Sequence, residues 1–250
     1  MRTLIAKRSQ RDAEGVCVVE GVRSVSAALA AGVQVETVYA TPGADEHAAL
    51  LDRVRATGAA IKWMTPEAMD RVADTVNPQS VMAVVRVPRR RVHDLAEVSL
   101  VVVLADVSDP GNAGTIVRAA QGAGASAVVF CRGSVDAFSP KTVRSSAGAL
   151  FQVPVLQGAE AGEVLDVLAQ RGVRRLGTAA AGGEPYDTVG WDRPTALVLG
   201  NEAWGVPAEV ASRVDGWVTI PMAGSAESLN VAMAASVLLF EAARQRRRSS

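Results

Sequence analysis

Leu197-Val198-Leu199-Gly200-Asn201-Glu202-Ala203-Trp204-Gly205 is an apolar strand end that passes directly into a loop of small residues carrying one amide and one carboxylate. Ile220-Pro221-Met222 and Ser228-Leu229-Asn230 repeat the pattern further along. Glycine lets a main chain come close to a ligand, so loops of this kind leave N–H and C=O groups available to a small molecule. Three of them near the ends of hydrophobic strands point to one cofactor pocket rather than to unrelated turns.

Working outward, residues 100–105, 127–131, 152–156, 174–180, 196–199 and 217–220 read as strands, with helical segments between most of them. Near-continuous apolar strands predict a parallel sheet covered on both faces. Residues 16–87 form a smaller alternating series. Strands are expected at 16–19, 35–40, 60–64 and 80–87. Helices are expected at 22–31, at 45–57, and after Thr65-Pro66-Glu67, where Thr caps and Pro occupies the first turn. The charged stretch Pro88-Arg89-Arg90-Arg91-Val92-His93-Asp94 reads as a boundary. The expected domains are therefore 1–90, a linker at 91–97, and 98–250. The last helix, about 228–245, is apolar nearly all round, which predicts burial on both sides, one of them against a second subunit.

The 250 residues carry no net formal charge, so an RNA partner would need a local basic face. Two cysteines, Cys17 and Cys131, sit in apolar runs and exclude a disulfide framework. The sequence holds no apolar run long enough to span a membrane and no signal-peptide core near Met1, so a cytoplasmic protein is expected.

Asp106 to Gly114 follows the strand at 100–105 with a turn at Pro110-Gly111, an Asn112 able to cap a helix, and Arg118 about two turns further on. By itself this is compatible with a cap and a solvated arginine. Gly122-Ala123-Gly124 falls at a helix end and is a poor dinucleotide motif.

Three blocks together carry a resemblance. They are Asp109 to Ala120, Leu197 to Val206, and Ile220-Pro221-Met222 with Ser225 to Ala232; Ser139 to Gly148 lies between them. In order and spacing they resemble the motifs of the SpoU–TrmH family of RNA 2′-O-ribose methyltransferases, a branch of the SPOUT superfamily. Residues 14–87, opening with Val19-Glu20-Gly21, are similar to the L30e-like substrate-binding domain of many rRNA-modifying members. The resemblance implies an α/β fold with an L30e-like N-terminal domain, a parallel-sheet catalytic domain carrying a C-terminal trefoil knot, and a homodimer.

It also implies S-adenosylmethionine as cofactor, no metal, and an RNA substrate, 23S rRNA in preference to tRNA. The catalytic positions are Asn112, Arg118, Glu202, Ser228 and Asn230. The cofactor positions are Thr178, Ala179, Gly200, Asn201, Glu202, Trp204, Gly205, Ile220, Pro221, Met222, Ser228 and Leu229. Candidate RNA contacts are Arg8, Arg11, Arg23, Arg86, Arg89, Arg90, Arg91, Lys141 and Arg144. Two other readings stay open from the residues alone. One is an RNA-binding assembly protein with a decayed site. The other is a nucleotide-binding α/β enzyme, for which residues 106–114 make a poor phosphate loop.

Overall fold

Val16–Glu20 (β1), Val35–Ala40 (β2), Ala60–Trp63 (β3) and Val81–Arg86 (β4) form a four-stranded sheet in the order β1-β4-β2-β3. The computed structural model describes residues 1–249. The strand β4 is flanked on both sides, and its residues Val81 to Val85 are all buried. The edge strand β3 is mostly exposed. Thr65 caps the helix Pro66–Val72, its side chain accepting from the Ala68 N–H at 3.3 Å.

Three local features depart from the sequence reading. Two short helices, Arg2–Ala6 and Arg8–Glu14, precede β1. The expected helix at 45–57 is a 3₁₀ turn, Pro42–His47, followed by an α-helix at Ala48–Ala56. Arg11 is buried, its guanidinium donating to the carbonyls of Leu4 and Ile5 at 2.5 and 2.9 Å. A side chain that satisfies the carbonyl end of the first helix is not a surface RNA contact, so that expectation for Arg11 is corrected.

By its contacts the chain divides into two units: Met1–Arg89 with Phe138–Gln152, and Arg90–Ala137 with Val153 onward. The segment 138–152, which lies within the expected 98–250 stretch, thus belongs with the first unit. Its helix Pro140–Ser145 is capped by Ser139. Gly148 has φ +89°, and a Cβ there would lie 2.6 Å from that of Ala27. Arg144 pairs with Glu20 at 3.8 Å and Asp74 at 3.5 Å. Glu20 in turn accepts from the Thr75 hydroxyl and the Gln79 N–H. Arg144 thus faces two carboxylates within this unit while its side chain stays partly exposed.

The second unit is a seven-stranded, wholly parallel sheet. Its strands are Leu100–Leu104 (β5), Ala127–Phe130 (β6), Val155–Gln157 (β7), Arg174–Thr178 (β8), Glu184–Pro185 (β9), Thr195–Leu199 (β10) and Gly216–Thr219 (β11). The order is β7-β6-β5-β10-β8-β11-β9. The central neighbours β5 and β10 are buried at every residue. Val101, Val103 and Val198 share one core with Val164, Leu165 and Leu168 of the helix Ala161–Gln170. The two-residue β9 escaped the sequence reading. It pairs with β11 next to Gly183, where a Cβ would lie 2.8 Å from the Val218 main chain.

Because all seven strands run the same way, the loops leaving β5, β8, β10 and β11 emerge at one edge of the sheet. Since β10 lies between β5 and β8, the loop 200–206 is set beside both of theirs.

The final helix spans Val231–Ser249. Ala232, Ala235, Leu238, Leu239 and Ala242 are buried, while Met233, Val237 and Phe240 stay 63%, 37% and 49% exposed. Burial on both sides is therefore not reached within one chain. An apolar stripe at i, i+4 and i+7 is left open. The far end of the helix is pinned: Arg246 donates to the carbonyls of Trp191, Ser99 and Arg193, and Gln245 bonds Val189 and Trp191. Among the described residues, no helix is long and apolar enough to cross a membrane.

Candidate active site

The turn after β10 is closed by its own main chain. The Asn201 N–H donates to the Gly205 carbonyl at 2.8 Å and the Gly205 N–H returns the bond to Asn201 at 2.9 Å. Asn201 Oδ1 accepts from the Ala203 N–H, and its Nδ2 donates to the Asp106 carbonyl, each at 2.9 Å. Gly205 has φ +77°, where a side chain would be strained. Gly200 is required by crowding: a Cβ there would meet the Gly205 carbonyl carbon and oxygen at 2.2 Å and Val206 N at 2.3 Å. Residue type and fold agree at this point.

Glu202 fastens that turn to the loop after β5. Its carboxylate accepts from the Ser108 N–H (3.2 Å), the Ser108 hydroxyl (2.9 Å), the Asp109 N–H (3.1 Å) and Asn112 Nδ2 (3.0 Å). The helix that begins there, Pro110–Gly122, is capped by Asp109 rather than by Asn112: Asp109 Oδ1 accepts from the Asn112 N–H at 2.8 Å. This frees the Asn112 amide to work in the site. Its Oδ1 accepts from Asn230 Nδ2 at 3.0 Å. Asn230 Oδ1 in turn takes the Ala232 and Met233 N–H groups and so caps the final helix. The chain of bonds runs one way, from the helix amides through Asn230 and Asn112 to Glu202.

Burial is the largest single influence on Glu202 and opposes its ionisation. The hydrogen bonds from Asn112 and from the main-chain N–H groups of Glu202, Asp109 and Ser108 outweigh it and bring the pKa from its ordinary 4.5 down to about 2. Glu202 is therefore a fixed acceptor that organises two loops, and it is a poor proton acceptor at neutral pH. With the folded pKa depressed, its contribution to stability is complete above about pH 4.5 and is lost as pH falls towards 2. Melting wild type and Glu202→Gln side by side should show a gap in Tm at pH 6–7 that narrows below pH 4. A gap independent of pH would contradict this assignment.

A cavity of about 700 Å³ opens beside the network. It is lined by Thr178 to Ala180, Leu199 to Val206, Trp217, Val218, Ile220, Met222, Ser228 to Val231, Ala234 and Leu238. Its lining mixes main-chain groups at three strand ends with apolar side chains from β11 and the last helix. Thr178 Oγ1 donates back to the Val198 carbonyl, which holds the end of β8 against β10. The Trp217 ring lies over Gly177, where a Cβ would come within 2.7 Å of it.

Of the expected cofactor residues, Thr178, Ala179, Gly200, Asn201, Glu202, Trp204, Gly205, Ile220, Met222, Ser228 and Leu229 line this one cavity, and Pro221 does not. Trp217, Ala234 and Leu238 line it without having been singled out from sequence. The spacing of Asn230, Ala234 and Leu238 on one helical face was the available signal for the last two.

The structure joins Asn112, Glu202 and Asn230 directly. Ser228 is exposed at the rim. Arg118 is not drawn in: it is exposed on the Gly111, Thr115, Arg118 face of its helix and has no hydrogen bond or ion pair among the described residues. Of the basic set, Arg8 pairs with Asp12 at 3.4 Å, Arg86 pairs with Glu36, and Arg89 donates to the Asp12 carbonyl at 2.6 Å. Arg23, Arg90, Arg91 and Lys141 are exposed.

A model described as the SpoU rRNA Methylase family matches residues 99–240, and one described as an MRM3-like substrate binding domain matches residues 1–83. The chain is 36% identical over 211 residues to the 23S rRNA (guanosine(2553)-2′-O)-methyltransferase RlmP of Bacillus subtilis, covering 82% of this chain and 84% of that one. It is 32% identical over 261 residues to the 23S rRNA (uridine(2479)-2′-O)-methyltransferase of Streptomyces viridochromogenes, covering 98% and 88%. The solved structure of the SpoU methyltransferase AviRb from Streptomyces viridochromogenes in complex with the cofactor AdoMet matches with a TM-score of 0.88 at 32% identity, covering 98% of this chain and 96% of that chain. With the family model spanning the whole parallel sheet and its four converging loops, the chain belongs to the SpoU rRNA methylase family.

Proposed function

We propose that this protein is an S-adenosylmethionine-dependent RNA 2′-O-ribose methyltransferase acting on 23S rRNA. The observation that carries the reading is a cavity of exposed strand-end main chain abutting the Glu202–Asn112–Asn230 chain of hydrogen bonds. The named activities of its relatives support the same conclusion.

The cavity fits the cofactor. Gly205, with nothing within 4 Å of where a Cβ would stand, leaves the turn's main chain uncovered for a polar amino-acid and ribose portion, while Ile220, Met222, Leu229 and Leu238 offer apolar walls for a flat base. When bound, S-adenosylmethionine supplies a methyl group on a sulfonium that is already electrophilic. The protein must then hold the acceptor hydroxyl in line and manage its proton, and positioning of this kind accounts for much of the barrier reduction. Glu202, with its acceptor sites filled, keeps the two loops in register. Asn112 and Asn230 present the remaining polar edge of the site.

Arg118 acts as a clamp rather than a base. A guanidinium offers only N–H donors and has no lone pair with which to take up the proton. It grips the phosphate beside the target ribose and stabilises the developing alkoxide, and the proton leaves to phosphate or water.

The N-terminal domain, residues 1–90, selects the RNA, and residues 98–250, apart from the segment 138–152 that packs with the first unit, carry the chemistry in the cytoplasm. The strand ends of this region thread into a trefoil knot. Two chains pair through the open stripe of Met233, Val237 and Phe240, whose exposure leaves apolar area for a partner helix. Val237→Glu is expected to turn a sedimenting dimer into a monomer. A wild-type protein that sediments as a monomer would contradict the pairing.

The functional test is to map ribose methylation across total bacterial RNA exposed or not exposed to the protein. A new 2′-O-methyl position in 23S rRNA is expected. A position in tRNA alone would move the substrate, and none at all would overturn the reading.

A further inference from the structure

We propose that Trp204 is the platform on which an unstacked base of the acceptor RNA strand lies during methyl transfer; this rests on the function proposed above. Trp204 lines the cavity yet keeps 69% of its surface exposed, whereas its neighbours Leu199 and Asn201 are buried. An indole serving only as a wall for a small cofactor would have little reason to project so far. This one has a face left for a second, larger ligand.

The main chain beneath it is braced. The turn that carries it is closed by the paired Asn201 and Gly205 main-chain bonds and tied at Glu202 to the loop after β5. An aromatic side chain has only two torsions to fix, and on a braced turn little main-chain freedom is lost on binding. Position adds to this: Trp204 is two residues from Glu202, whose carboxylate holds Asn112, so a base seated on the ring brings its ribose toward that polar chain. Sequence-selective RNA contacts commonly splay bases onto aromatic rings, and the stacking itself is tolerant of base identity. Trp204 thus contributes hold and orientation, while base choice lies elsewhere.

The test uses the full-length protein, Trp204→Ala and Trp204→Phe, and an unmodified 23S rRNA transcript. Four quantities are read: KM and kcat for the transcript, its affinity by filter binding, S-adenosylmethionine affinity by calorimetry, and sedimentation. Stacking of the usual strength predicts that Trp204→Ala raises KM and weakens transcript binding about 10- to 100-fold. Cofactor affinity should fall far less than transcript binding and sedimentation should be unchanged, with Trp204→Phe recovering most of the loss.

A parallel fall in cofactor affinity would make Trp204 a wall of the donor pocket and overturn the proposal. Dissociation of a dimer would place a second chain on the ring, with the same consequence. Unchanged RNA binding in an active, well-folded Trp204→Ala would refute it while leaving the enzyme's function intact. A wild-type protein that neither binds nor methylates the transcript refutes the functional reading and this proposal together.

Discussion

Arg118→Lys should lose about 10²- to 10³-fold in kcat, the usual effect of removing one preorganised donor from a developing oxyanion, with the fold and cofactor affinity preserved. Arg118 is exposed and makes no ion pair or hydrogen bond among the described residues, so the substitution removes no contact that holds the helix Pro110–Gly122 together. Arginine and lysine also have similar helix propensities. What changes is geometry. A guanidinium presents a planar fork that meets a phosphate with two parallel bonds, whereas an ammonium is a compact point charge. The charge is retained and the alignment is not.

Single-turnover methyl transfer at saturating RNA isolates this effect from binding, and a thermal melt checks the fold. Near wild-type turnover in Arg118→Lys would remove the clamp from the mechanism. A rise in KM with kcat unchanged would make Arg118 an ordinary electrostatic contact to the backbone of the RNA.

Gly200→Ala should abolish measurable cofactor binding and lower the melting temperature. The added methyl would sit 2.2 Å from the Gly205 carbonyl and 2.3 Å from Val206 N, and all these atoms are main chain. No rotamer change relieves such a clash. Either the reciprocal Asn201–Gly205 bonds open or β10 shifts against β5 and β8. Overpacking of this kind costs about 1–3 kcal/mol, and more when backbone must yield.

The functional loss should be the larger effect, because a displacement of about 1 Å in positioning groups can cost about 10²-fold. Here it would move Glu202 and with it Asn112. Calorimetry with S-adenosylmethionine and a thermal melt measure the two effects separately. A variant that binds the cofactor normally would show that the turn is not the cradle. Gly205→Ala makes a useful contrast: no protein atom lies within 4 Å of the added methyl, so its cost to the fold arises only from the positive φ.

Much of this site is legible before folding because its chemistry depends on residue types that few other contexts require. Gly200, Asn201, Glu202 and Gly205 stand together after a buried apolar strand, and the motif order identifies the family. The alternating apolar runs likewise indicate the sheet, since each central strand must be buried on both faces. The misreadings fall where local pattern is weak. Arg2–Ala6 and Arg8–Glu14 bury little beyond Leu4 and Arg11, so no apolar stripe announces them. The strand β9 has two residues and exists only because Gly183 lets β11 come close.

The pairings came from the tertiary structure alone. Asn112 meets Glu202 across 90 residues and Asn230 across 118, and a spacing of that size leaves no periodic trace in the chain. Ser139 to Arg144 reads as part of the catalytic stretch, yet Arg144 is held by Glu20 and Asp74. The order of strands in the sheet decides which loops become neighbours, and only packing decides that order. Sequence by itself determines which residues can make a cofactor cradle and which family builds one. Folding decides that Asp109 rather than Asn112 caps the helix, leaving an amide free to link the two loops, because a cap needs only the nearest suitable oxygen while a site needs side chains brought together from distant strands.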